Sequence, residues 1–310
     1  MNLVKSKKIA VLLGGLSGER DVSLESGRNI LQALLSKGYQ AFALDMSRDL
    51  ASQLKSSGAE IVFNGLHGAY GEDGCVQGLL EILKLPYTGS GVKASALAMD
   101  KVLSKLLAKG LGLATPSFLA LKPDQEFSQS QLLEHSLAFP LVVKPASEGS
   151  SLGLAKVSHF DELKEALVQA RKWPGAVLIE QFIQGREVTV AWVDGQVLPV
   201  LEIIPEGGFY DYHAKYESDK TRYECPADLS ESLASQIQQS SLQLMEAFGV
   251  EGAARADFLI DAKGQPYFLE MNTLPGMTSH SLVPKAALVF GLSFEDLVEK
   301  ILLSARIKQS

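Results

Sequence analysis

The residues best suited to chemistry are Arg255, Asp257, Glu270 and Asn272, on or directly after two strand-like stretches, 254–260 and 266–271, that flank the turn residues 261–264. Strand residues two apart share a face. A two-residue turn at Lys263 and Gly264 sets Asp257 opposite Glu270 and Arg255 opposite Asn272. A four-residue turn at 261–264 sets Arg255 opposite Glu270 instead, and either register puts all four on one face. The other face is then Ala256, Phe258, Ile260, Tyr267, Leu269 and Met271, apolar and suited to a core, while Leu259 and Phe268 share the polar face. Two carboxylates and an amide oxygen are hard ligands appropriate for Mg²⁺ that keeps phosphate oxygens in its shell. Arg255 cannot ligate, but it could donate hydrogen bonds to a transferring phosphate or a developing oxyanion. A solvated outer face of alternating charges would share the pattern.

Three loops add to this. The loop at 147–153, Ser-Glu-Gly-Ser-Ser-Leu-Gly, follows a strand bearing Lys144, and its small residues let backbone N–H groups approach phosphate oxygens. It is not a P-loop, and a Gly/Ser turn is also a common flexible connection. His67-Gly-Ala-Tyr-Gly-Glu-Asp-Gly74 follows a strand ending at Leu66, where open α/β sheets place ligand loops. The first loop, at 14–19, is glycine-rich but fails GxGxxG, so a dinucleotide site is not supported.

The elements that must position these residues follow from periodicity. An apolar run from Ile9 leads into the first glycines, and a helical pattern then carries Leu24, Ile30, Leu31, Leu34 and Leu35 to Gly38. Strands near 41–45 and 61–66 alternate with helices near 49–56 and 76–84, as in a parallel sheet. A helical stretch over 93–109 follows. A smaller unit then has strands at 115–121, 141–144 and 177–183, a helix near Gln131, and a capping box at Ser158 and Asp161 before the next helix. Beyond Glu187 the chain is β-rich, with a hairpin through Asp194 and Gly195, a helix over 232–248, the acidic hairpin, and a last helix capped by Ser293. The expected class is α/β, turning to α+β in the C-terminal half, in three units: 1–100 (a parallel-sheet α/β domain), 101–186 and 187–310.

Composition narrows the partners. With 310 residues, 46% hydrophobic and 21% charged, the chain can bury its own cores. A net charge of -7 argues against a nucleic-acid surface and favours small phosphate ligands. Cys75 and Cys225 form no zinc or disulfide pattern, and the run at 9–13 is too short for a signal or membrane segment. A cytoplasmic protein with no membrane partner is expected.

Seven ordered segments together resemble the bacterial D-alanine–D-alanine ligases of the ATP-grasp superfamily: Gly14-Gly-Leu-Ser-Gly-Glu-Arg20, the His67 to Gly74 loop, Tyr87-Thr-Gly-Ser-Gly91, Met99-Asp-Lys101, residues 144–153, residues 210–216, and Glu270-Met-Asn-Thr-Leu-Pro-Gly-Met-Thr-Ser-His-Ser-Leu282. The resemblance spans nearly the whole chain. It implies a three-domain ATP-grasp architecture that joins two D-alanine molecules, with ATP between the central and C-terminal domains. The first carboxylate takes the γ-phosphoryl group of ATP, and the second amine then displaces phosphate from the acyl phosphate, so that D-alanyl-D-alanine forms for peptidoglycan.

Residue roles are carried over by the same resemblance. Lys101 and Lys144 would neutralise ATP phosphates under the closing loop that contains Ser150 and Ser151, while Glu180 and Glu187 would hold adenine and ribose. Asp257, Glu270 and Asn272 would bind two Mg²⁺ ions, with Mn²⁺ as a substitute. Glu19 would bind the first ammonium group beside His67, and Ser150 and Tyr216 would link Glu19 to the loop. Arg255 and the Gly276 N–H would stabilise the oxyanion, Ser281 and Leu282 would bind the second carboxylate, and Lys215 would reach the γ-phosphate. Residues 206–222 would form a lid. Tyr216 favours the dipeptide over D-alanyl-D-lactate, and Met271 and Leu274 depart from the family's usual residues. A D-alanyl-D-lactate or D-alanyl-D-serine ligase, or a non-enzymatic ATP-binding regulator, would share the fold. Family members are commonly homodimers.

Overall fold

The computed structural model describes residues 3–149, 152–205 and 220–308. In chain order the strands are β1 (Lys8–Leu13), β2 (Gln40–Asp45), β3 (Ile61–Asn64), β4 (Phe118–Leu121), β5 (Leu141–Pro145), β6 (Ala155–Val157), β7 (Val177–Gln181), β8 (Gly185–Val193), β9 (Gln196–Val197), β10 (Leu201–Ile204), β11 (Arg222–Glu224), β12 (Ala253–Asp261) and β13 (Pro266–Asn272). The helices are α1 (Arg20–Ser36), α2 (Leu50–Ser57), α3 (Cys75–Leu83), α4 (Val92–Met99), α5 (Lys101–Gly110), α6 (Ser130–Glu134), α7 (Phe160–Ala170), α8 (Glu231–Phe248), α9 (Leu282–Phe290) and α10 (Phe294–Leu303).

Three sheets organise them. β1 lies between β2 and β3 in a parallel sheet. Its unbroken apolar run is the mark of a strand covered on both faces: Ile9 and Val11 enter one core with α1, α9 and α10, and Ala10 and Leu12 enter another with α2 and α3. The second sheet is antiparallel, in the order β4-β7-β5-β6, and α7 covers one face of it. The third runs β11-β10-β8-β12-β13, with β9 also paired to β8. Its core includes α8 and residues of both α4 and α5.

Two local expectations are corrected. The helical stretch over 93–109 is two helices, because Asp100 takes an extended conformation and its carboxylate accepts the N–H groups of Val102 and Leu103. Lys101 therefore opens α5, and its N–H reaches Ala146 O at 3.0 Å. The capping box before α7 is shifted by one residue. His159 is the N-cap, and the Glu162 carboxylate accepts the Ser158 N–H at 2.6 Å. The hairpin at Asp194 and Gly195 has positive φ at both residues, 45° and 85°, as a type I′ turn requires.

Candidate active site

β12 and β13 pair with Asp257 opposite Glu270 and Arg255 opposite Asn272. Nearer the turn the register is different: Ile260 faces Pro266 and Phe258 faces Phe268, and a bulge absorbs the slip beside Asp257. The regular alternation expected from the sequence therefore fails for half of β13. Phe268 is fully buried against Phe258, with ring centroids 5.8 Å apart, and Leu269 turns with Glu270 towards a cavity. The bulge supplies an apolar wall beside the carboxylates without breaking the core. On the other side of β12, Asp257 faces Thr189, whose hydroxyl donates to its Oδ1 at 2.6 Å. Arg255 also grips Asp257, with Nε 3.0 Å from Oδ1 and Nη2 3.1 Å from Oδ2.

The larger cavity, about 390 Å³, lies between the second and third sheets. Val142, Lys144 and Glu180 line it from the second sheet. Glu187, Ile203, Leu259, Leu269 and Glu270 line it from the third, and Lys101 from α5. Glu180 is buried and ion-paired to two lysines, Lys105 Nζ at 2.5 Å and Lys144 Nζ at 2.6 Å. Burial alone would raise the Glu180 carboxyl, but the two ammonium groups outweigh it and hold it below the usual range. Burial likewise works against the Lys144 charge, yet Glu180, with Glu270 and Glu187, carries it above the ordinary lysine value. Lys105 goes the other way, because burial and the nearby Lys144 charge bring it down to about 8 despite Glu180.

The smaller cavity, about 120 Å³, shares Lys101 and Glu270 with the larger one. Its wall brings together Glu19, His67, Arg255, Asn272, Gly276, Ser281 and Leu282, from segments more than 250 residues apart. Lys101 sits at the junction, with Nζ 3.2 Å from Glu270 Oε2 and donating to Glu148 O at 2.6 Å. The Glu19 carboxylate lies against Gly68 and Gly149. A Cβ on Gly68, whose φ is +68°, would come 2.6 Å from Glu19 Oε2. A Cβ on Gly276 would come 2.7 Å from Ser281 Oγ, so a side chain here would displace that hydroxyl or the segment.

His67 is held by a relay. Ser26 Oγ accepts the Met277 N–H at 3.1 Å and lies 3.2 Å from His67 Nε2. His67 Nδ1 faces Glu72 Oε1 at 3.3 Å, and a carboxylate oxygen there is a partner for a proton on that nitrogen. Asn29 Nδ2 holds the Met277 carbonyl at 3.0 Å, so α1 grips both sides of the residue after Gly276.

Thirteen of the seventeen expected site residues thus line one or both of the two cavities or, as with Asp257, anchor their wall. Ser150, Ser151, Lys215 and Tyr216 lie outside the described residues, as does most of the expected lid. Lys105, Thr189, Ser26 and Asn29 were not singled out from the sequence. Lys101 and Lys105 stand four apart on one helical face, a spacing that could have drawn attention to Lys105. Nothing local marked the other three. Among the described residues no group of three or more His, Cys, Asp or Glu could hold a metal ion. The oxygen donors here are two carboxylates and one amide, a hard set that fits Mg²⁺ with substrate phosphates completing its shell.

Comparison with known proteins bears on what these cavities serve. The family model described as D-ala D-ala ligase C-terminus matches residues 107–303, and that described as D-ala D-ala ligase N-terminus matches residues 48–90. The chain belongs to the D-alanine–D-alanine ligase family. It is 49% identical over 306 residues to the D-alanine–D-alanine ligase of Syntrophotalea carbinolica, covering 99% of this chain and 98% of that one. It is 48% identical to the ligase of Neisseria meningitidis serogroup B, with 97% and 98% covered. The crystal structure of the Bacillus anthracis ligase complexed with ATP superposes with a TM-score of 0.85 at 33% identity, over 96% of this chain and 97% of that one. A D-Ala:D-Ser ligase of the same fold, VanG of Enterococcus faecalis, superposes with a TM-score of 0.82 at 29% identity, over 95% and 98%. For a D-alanine–D-alanine ligase family member, the mixed α/β architecture with a parallel N-terminal sheet is the expected one.

Proposed function

We propose that this protein ligates two D-alanine molecules to D-alanyl-D-alanine at the expense of ATP, through a D-alanyl phosphate, for peptidoglycan precursors. The observation that carries the reading is the meeting of the two cavities at Lys101 and Glu270. A nucleotide in the larger cavity would present its γ-phosphoryl group to a carboxylate in the smaller one. The chemistry needs that arrangement, because a carboxylate oxygen is a poor leaving group until it is phosphorylated.

In this reading Lys101 and Lys144 neutralise the phosphates, and Glu180 and Glu187 border adenine and ribose. Asp257, Glu270 and Asn272 hold Mg²⁺, or Mn²⁺ in its place, which supplies charge neutralisation at the phosphates when bound. Glu19 takes the first ammonium group, with His67 beside it. Arg255 and the Gly276 N–H stabilise the oxyanion of acyl transfer. Ser281 and the N–H of Leu282, at the start of α9, take the second carboxylate, where the helix dipole favours an anion. Ser150, Ser151, Lys215 and Tyr216 keep the roles that the family resemblance gives them. The reading carries with it a cytoplasmic location and a homodimeric state. No helix among the described residues is long and apolar enough to cross a membrane.

Phosphate release by the purified protein with ATP and Mg²⁺ tests the proposal. Release should require D-alanine, fail with L-alanine, and yield D-alanyl-D-alanine by mass even when D-lactate or D-serine is also present. ATP binding without turnover under every condition would make the protein a nucleotide-binding regulator.

A further inference from the structure

α5 carries a second lysine one turn beyond Lys101, and it lines neither cavity. Lys105 has no exposed surface; its Nζ touches Glu180 Oε1 and donates to Thr115 Oγ1 at 2.9 Å. The Thr115 hydroxyl donates to Phe268 O at 2.8 Å, and Ala114 O accepts the Phe268 N–H at 2.8 Å. Lys105 thus stands between the carboxylate that faces Lys144 and the strand segment that leads into the bulge. The other charged groups around it are Lys144 and Glu270, with Lys101 on its own helix.

A carboxylate matched to one lysine cancels that lysine's charge, whereas one shared by two lysines cancels neither fully; with Glu187 and Glu270 also acting on Lys144, Lys105 makes this wall of the cavity less negative. Stability alone does not account for a lysine here, since buried ion pairs can often be replaced by apolar residues without loss. We propose that Lys105 is a positioning residue for the nucleotide: by holding one oxygen of Glu180 it keeps Lys144 only partly compensated by Glu180 and fixed towards the phosphates. The inference rests on the larger cavity being the nucleotide site.

The test uses the full chain and measures ATP affinity by calorimetry with Mg²⁺, together with KM for ATP and for D-alanine, in wild type, Lys105→Met, Glu180→Gln and the double variant. Lys105→Met should weaken ATP by about tenfold, the size of one charge-assisted contact, and move KM for D-alanine by no more than about twofold. In the Glu180→Gln background the same change should cost ATP less than about threefold, because its effect passes through Glu180. Equal losses in both backgrounds, or parallel shifts in both KM values, would show a merely structural role and overturn the proposal. If Lys105→Met does not fold, Thr115→Val removes only the tether and should weaken ATP by a smaller factor in the same direction; unchanged affinity there also overturns it. Failure of the wild type to bind ATP would instead overturn the reading of the cavity.

Discussion

Replacing Phe268 and Leu269 by alanine, one at a time, should separate stability from nucleotide binding, because the bulge turns Phe268 to the core and Leu269 to the cavity, the reverse of what unbroken alternation from Glu270 would give. Phe268 has no exposed surface and packs edge-on to Phe258. Its truncation should cost about 3–5 kcal/mol and lower the thermal midpoint by roughly 10 °C. Leu269 is half-buried on the cavity wall, so its truncation should cost about 1–2 kcal/mol. The same change removes part of the apolar surface facing the nucleotide and should raise KM for ATP several-fold, while Phe268→Ala leaves that value near wild type in whatever fraction stays folded. Thermal unfolding with and without ATP, together with steady-state phosphate release, reads both quantities. If Leu269→Ala proves the more destabilising and Phe268→Ala the one that weakens ATP, β13 alternates without interruption and the bulge account is refuted.

Gly276→Ala forces a methyl to within 2.7 Å of Ser281 Oγ, so that hydroxyl or the segment must shift; turnover should fall by about 10²–10³, the range for one lost oxyanion donor, with the thermal midpoint little changed. Ser26→Ala removes the acceptor of the Met277 N–H and the partner of His67 Nε2, and chemical denaturation should show a loss of about 1–3 kcal/mol together with reduced turnover. Glu180 has a folded pKa below its unfolded value of 4.5, so its contribution to stability is present above that value and is lost as pH falls through the folded one. Glu180→Gln should lack this acid limb and, by removing the carboxylate that two buried lysines share, be destabilised by about 3–5 kcal/mol at neutral pH in denaturation curves. Chelating divalent cations should stop phosphate release, and added Mg²⁺ or Mn²⁺ should restore it.

Much of the scaffold could be read from periodicity. The doubly covered β1, the turn at Asp194 and Gly195, and the long helix ending at Phe248 all announced themselves in the residue pattern. The pairing of Asp257 with Glu270 was one of two registers open to parity counting. Counting assumes an unbroken pleat, and so it assigned Phe268 and Leu269 to the wrong faces once a single bulged residue intervened. The break at Asp100 was hidden because the apolar pattern runs through it, although an Asp can cap a helix wherever the backbone lets its side chain accept the next N–H groups. The site residues became nameable through motifs shared with a family, which identify residues without saying what holds them. Lys105 behind Glu180, Thr189 behind Asp257, and Ser26 with Asn29 behind Met277 depend on contacts between distant segments that no local spacing encodes.

The central claim is that a D-alanine carboxylate is phosphorylated before the peptide bond forms. D-alanine labelled with ¹⁸O in both carboxylate oxygens, incubated with ATP, Mg²⁺ and the protein, tests it most directly, with the released phosphate analysed by mass. Acyl transfer expels phosphate that carries the bridging oxygen, so the account predicts one ¹⁸O in each phosphate released. Unlabelled phosphate formed alongside the dipeptide would contradict it.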